Sequence, residues 1–136
     1  MSEFGDLCCR VGNDYDFLVL NYNIRSFNSN SSCFDLFLKS LDIQPQIIVL
    51  SETWNTPSNV TLCSIPNYNS FHSYRTSRSS SSRGGGVSVF CEDSFSSDLV
   101  QSCSFVSNSL ESCAVKIQFD EKYLIIVGSV YIQTSQ

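Results

Sequence analysis

Between Thr53 and Cys91 the chain carries no aspartate or glutamate, and across its 136 residues histidine, tryptophan and methionine occur once each. One histidine and seven cysteines without a CxxC pair leave no pattern for a structural zinc site. Several of those cysteines lie inside apolar runs, where small buried thiols sit in reducing compartments. No apolar run approaches the length needed to cross a bilayer. The opening "MSEFGDLCCRVGNDYD" has early acids and no apolar segment of a secretory leader. These absences predict an intracellular chain, cytoplasmic or nuclear and not secreted, with no membrane partner. Charge is scarce as well, at 15% of residues with a net charge of -5 and a pI near 4.6. That excludes a polycationic surface but not a local basic patch, because a nucleic-acid partner reads where positive charge sits.

What is present is globular. An apolar content of 42% in a chain of this length supports one small domain with a sizeable core. Phe17-Leu18-Val19-Leu20 and Ile47-Ile48-Val49-Leu50 are continuous apolar runs, the pattern of strands covered on both faces. Between them Phe34, Phe37, Leu38 and Leu41 recur with helical spacing, with Ser32 as the expected N-cap and Pro45 at the exit. Strand, helix, strand predicts a βαβ unit with two parallel strands. Val87 to Cys91 reads as a further strand. Cys113–Phe119 and Tyr123–Tyr131 predict an antiparallel hairpin around Asp120-Glu121-Lys122. The expected class is therefore α/β tending to α+β, with a mixed sheet. Residues 1–14 are expected as an N-terminal tail, 15–131 as the domain and 132–136 as a C-terminal tail.

In such units ligands gather beyond the carboxyl ends of the strands. Those ends carry Asn21 and Asn23 on one strand and Glu52 on the other. The acid-free span contains Arg75, Arg78 and Arg83 within "YRTSRSSSSRGGG", which reads as a flexible loop with Ser79 to Ser82 as an insertion. Trp54 reads as packing, and His72 as a surface residue in a loop.

"LNYNIRSF", "PQIIVLSETW", "YRTSRSSSSRGGGVSVFC", "LESCAVKI" and "IIVGSVY" occur in that order along the chain. Together they resemble the first half of the endonuclease/exonuclease/phosphatase superfamily, with most similarity to the apurinic-endonuclease-like domain of non-LTR (LINE-type) retrotransposons. The resemblance implies about half of a two-sheet sandwich from a Mg²⁺- or Mn²⁺-dependent, DNA-nicking hydrolase associated with reverse transcriptase. It implies that Asn23 (Asn21 in the alternative register) stands at the phosphate and metal site, that Glu52 is the metal ligand, and that Tyr131 contacts the scissile phosphate. Glu111 matches an acid opening the next strand, and Gly84-Gly85-Gly86 the glycine-rich entry to the strand before it. The chemistry suits these residue types. A carboxylate anchors the hard cation that neutralises phosphate charge, and an amide and a phenol orient phosphate without adding negative charge. Arg75, Arg78 and Arg83 are candidates for flanking DNA phosphates.

The sequence departs from the pattern after Tyr131, where neither a Gly-Asp-x-Asn nor a Ser-Asp-His motif occurs. The expectation is a fragment inactive on its own, since catalytic groups that act as a unit fail together. A chain supplying about one sheet is expected to expose that sheet's inner face and to self-associate through it. Two other readings stay open: a phosphatase or phosphodiesterase of the same superfamily, and a non-catalytic binding remnant.

Overall fold

A computed structural model describes residues 5–11, 15–75 and 84–133. Strands β1 (Gly5–Val11) and β2 (Tyr15–Asn23) lead to helix α1 (Phe27–Ser40) and strand β3 (Ile47–Ser51). Then come β4 (Tyr68–Ser73), β5 (Val87–Glu92), β6 (Ser96–Leu99), β7 (Phe105–Val106), β8 (Leu110–Gln118) and β9 (Leu124–Ile132). The first sheet has the order β1-β2-β3-β5-β4, with β2 and β3 parallel and every other neighbouring pair antiparallel. In the second sheet β6 and β7 pair with one edge of β8, and β9 pairs with the other. The class is α+β, with the expected βαβ start and C-terminal antiparallel hairpin.

Strand β3 shows why the first sheet is stable. Ile47 and Val49 point into the space between the sheets, beside Val87, Val89 and Val115, whereas Ile48 and Leu50 point at α1, beside Phe34, Leu38 and Phe90. Ile47, Ile48 and Leu50 have no exposed surface, and burying each contributes about 1.5–3 kcal/mol. On α1, Phe34 and Leu38 are buried and Phe37 and Leu41 pack at the margin, as the helical spacing predicts.

Several expectations need correction. Residues 5–11 belong to the first sheet, where Gly5 to Val11 pair antiparallel with Asn21 to Tyr15. The helix begins well before Ser32: Ser26 is the N-cap, and its Oγ accepts the Ser29 amide hydrogen. Asn30 helps fix that early turn by donating from Nδ2 to the Ile24 and Arg25 carbonyls. The chain also supplies two sheets rather than one, so the inner face of β3 and β5 is covered.

The cover is uneven. In the second sheet β9 lies over β3 and β5, and β8 over β5 and β4. Among the described residues β9 pairs with β8 alone, and strands β1 and β2 extend past its other edge. Phe17, at the start of β2, is covered by the rings of Phe95 and Phe119. Further along, β2 borders a cavity of about 380 Å³ lined by Val19, Asn21, Val49, Ser51, Val127 and Ser129. The outer face of the second sheet exposes Ile126 at 60%, Val130 at 57% and Ile132 at 66%.

Candidate active site

The apolar layer between the sheets turns polar at one end. Along β2 the inward positions run from Phe17 and Val19 to Asn21 and Asn23; along β3 they run from Ile47 and Val49 to Ser51. Asn23 stands opposite Ser51 in the parallel ladder. Across the space, the inward side of β8 starts at Glu111 and that of β9 ends at Tyr131, and these two face each other in register. One rim thus gathers Asn23, Ser51, Glu52, Glu111 and Tyr131.

The loop carrying Glu52 is clamped from both sides. Ladder hydrogen bonding continues past β2, with the amides of Ile24, Ser26 and Phe27 donating to the carbonyls of Ser51, Glu52 and Thr53 at 2.9–3.0 Å. On the other side the amides of Thr53 and Trp54 donate to the carbonyls of Gly86 and Gly85. Glu52 (φ 53°) and Trp54 (φ 58°) both adopt left-handed backbone, as do Arg25 and Ser26. Non-glycine residues in this region cost about 1–2 kcal/mol each, so the two clamps hold a conformation the chain would not adopt unaided.

Gly85 and Gly86 are required sterically. Both have positive φ; a Cβ on Gly86 would meet Thr53 Oγ1 at 2.3 Å, and one on Gly85 would meet Glu111 Oε2 at 2.6 Å. Glu111 is 1% exposed and accepts the Gly86 amide hydrogen at 2.9 Å. Its Oε1 lies 3.1 Å from Nε of Arg75, whose side chain is 14% exposed. Glu111 thus joins the second sheet to the loop that grips Glu52.

The structure places Glu52 and Asn23 at the ends of adjacent parallel strands, with Tyr131 on the facing hairpin. Arg75 turns inward to Glu111. Arg78, Arg83 and Ser79 to Ser82 lie outside the described residues. His72 needs correction: it sits in β4, half-buried, with Nδ1 2.7 Å from Ser88 Oγ and its ring edge-on to Phe90. Burial lowers its pKa to about 4, and it lies on the helix-covered face of the first sheet, away from the rim. Thr53, whose Oγ1 is buried against Gly86, escaped sequence reasoning because nothing local marks it.

Among the described residues no three His, Cys, Asp or Glu side chains cluster as a metal cage. Glu52 and Asn23, at the ends of neighbouring strands, offer a sparse set of hard oxygen donors, with Asn21 one inward position further back along β2. That set fits Mg²⁺ or Mn²⁺, which keep several waters and bind through one or two carboxylates together with substrate phosphate. It does not fit zinc.

The fold is an α+β sandwich of two facing sheets. Among solved structures, the catalytic domain of Xenopus laevis APE2 is similar at a TM-score of 0.53 and 18% identity, over 87% of this chain. The likeness spans 45% of that solved chain, and at this identity it concerns the fold. No family model matches the sequence, and no curated protein does. Among the described residues no helix is long and apolar enough to cross a membrane.

Proposed function

We propose that this chain carries part of a divalent-cation-dependent, DNA-nicking endonuclease site of the retrotransposon (LINE) type, acting inside the cell. The observation that supports it best is the shared rim: the motif residues Asn23, Glu52, Glu111 and Tyr131, far apart in sequence, meet at one end of the inter-sheet layer. In this reading Glu52 holds Mg²⁺ or Mn²⁺, with Asn23 beside it, and the cation supplies charge neutralisation at a phosphate oxygen. Asn23 and Tyr131 orient the phosphodiester. Glu111 and Arg75 act as positioning residues, since both are occupied with each other and with the glycine turn.

The rim offers no histidine as a general base, because His72 lies on the other face of the sheet. We therefore expect this chain alone to bind cation and DNA weakly and to turn over slowly or not at all. The reading also includes self-association, now through the apolar outer face of the second sheet. One observation favours a second substrate class, a small phosphate ester: Arg75 is spent on Glu111 and not presented to a polynucleotide backbone.

The test uses Mn²⁺ as a paramagnetic probe in NMR spectra of the whole chain. Broadening should centre on Asn23, Glu52 and Tyr131 and disappear in Glu52→Ala, while Glu92→Ala retains it. Broadening elsewhere, or unchanged in Glu52→Ala, would refute the reading. A plasmid-nicking assay with and without Mg²⁺ then measures turnover, and a short phosphorylated ester run beside it separates the two substrate classes.

A further inference from the structure

The helix-covered face of the first sheet packs Leu50 and Phe90 with Ile24, Phe27 and Ile65. Into this apolar layer the chain also places Asn55, Cys63, Ser88 and His72. Ser88 has no exposed surface, and Cys63 and Asn55 are 2% and 6% exposed. Ser88 Oγ lies 2.7 Å from His72 Nδ1. The Cys63 sulfur has the Asn55 amide and the Ser88 hydroxyl as hydrogen-bonding neighbours, and Asn55 Nδ2 has no other partner. Polar groups in an apolar layer cost free energy unless they are joined, and a joined network fixes one arrangement.

The network joins segments that converge on the loop carrying Glu52. Asn55 belongs to that loop, three residues after Glu52. Beyond it Asn59 Oδ1 accepts the Thr56 amide hydrogen, and the short turn Val60–Leu62 brings Cys63 back beside Asn55. Ser88 pairs with Leu50 of β3 and His72 of β4, two residues after Gly86, whose carbonyl holds the Thr53 amide. We propose that Asn55, Cys63 and Ser88 are positioning residues for Glu52, a side-chain tether that fixes its loop from the helix-covered face. The two backbone clamps hold the strained residues themselves, and the tether anchors the segment that leaves them. Burial raises the pKa of the Cys63 thiol, so the sulfur keeps its hydrogen and serves as donor and acceptor at once. The effect on a bound cation rests on the Glu52 reading above, whereas the hold on the loop does not.

The experiment compares Cys63→Ser with Cys63→Ala in the full chain. Serine keeps a donor and an acceptor at this position, whereas alanine keeps packing alone. Were Cys63 only apolar filling, serine would be the worse replacement, because it brings a hydroxyl into an apolar layer. Two readouts are taken: metal-free exchange of the Thr53 and Trp54 amides relative to Leu50, and Mn²⁺ affinity. Cys63→Ala should speed that relative exchange about tenfold and weaken Mn²⁺ binding about tenfold, and Ser88→Ala should do the same. Cys63→Ser should hold both within about threefold of the parent chain. Cys91→Ala, equally buried at the far end of β5, should lower the unfolding midpoint and leave both readouts unchanged. Unchanged relative exchange in Cys63→Ala and Ser88→Ala overturns the proposal, as does serine performing no better than alanine. If exchange responds as expected but Mn²⁺ binding is indifferent to Glu52→Ala, the tether stands and the cation reading fails.

Discussion

Strands β3 and β9 read almost alike, as "IIVLS" and "LIIVGSVYI", yet their surroundings differ. In β3 the first four residues are buried; in β9 alternate residues stay in solvent, with Ile126 60% exposed. An apolar run specifies a strand, but how many of its faces are covered depends on elements elsewhere in the chain. For β3 these are α1 on one face and the β8–β9 hairpin on the other. For β9 the first sheet covers one face alone.

That contrast can be broken, and the largest effect lies where the two regions join. Glu111→Ala would leave the Arg75 cation buried without its carboxylate and remove the acceptor of the Gly86 amide, costing about 3–5 kcal/mol. Urea unfolding measures this, and an unchanged midpoint would show that the clamp holds nothing. Ile48→Ala in β3 should cost about 2–4 kcal/mol through cavity formation, whereas Ile126→Ala in β9 should stay within about 0.5 kcal/mol. Equal losses would erase the distinction between the strands. Gly86→Ala should cost about 1–3 kcal/mol from left-handed strain and the approach to Thr53, and it should weaken Mn²⁺ binding by moving Glu52.

A smaller effect is set by pH. His72 has a folded pKa of about 4 against an ordinary value of 6.5. The unfolded chain therefore binds the proton first as pH falls. Stability contributed by neutral His72 is complete above pH 6.5 and is lost as pH drops towards 4. With the ring half-buried, the loss is about 1–3 kcal/mol. Thermal unfolding between pH 7 and 4 should show a slope that His72→Gln flattens. The smallest effect belongs to the outer face: Ile126→Lys with Val130→Lys should barely alter the unfolding midpoint while reducing any concentration-dependent sedimentation.

Much of the framework was legible because its signals are local. The β2–α1–β3 unit follows from two apolar runs around a helical stripe, and the β8–β9 hairpin from its polar turn. The misses have nonlocal causes. "GDLCCRV" has no clear alternation, and it becomes a strand because β2 offers an edge. "NSNSS" has poor helix propensity, but capping by Ser26 and Asn30 carries the helix through it. "YNSFHS" in β4 reads as a loop until β5 supplies its ladder. At the site, Glu52 was legible as an acid at a strand end, while the inward-facing pair of Arg75 and Glu111 could not be seen before the chain folded.

The seam around Gly85 has a kinetic consequence. Each half of the rim arises from short-range contacts, the βαβ unit supplying one and the hairpin the other. Their docking is the long-range event and should be the slow one. Trp54, the chain's single indole, lies on that seam with its amide bonded to Gly85. Its emission in a stopped-flow refolding trace therefore marks when the two halves meet, a built-in clock for assembly of the rim.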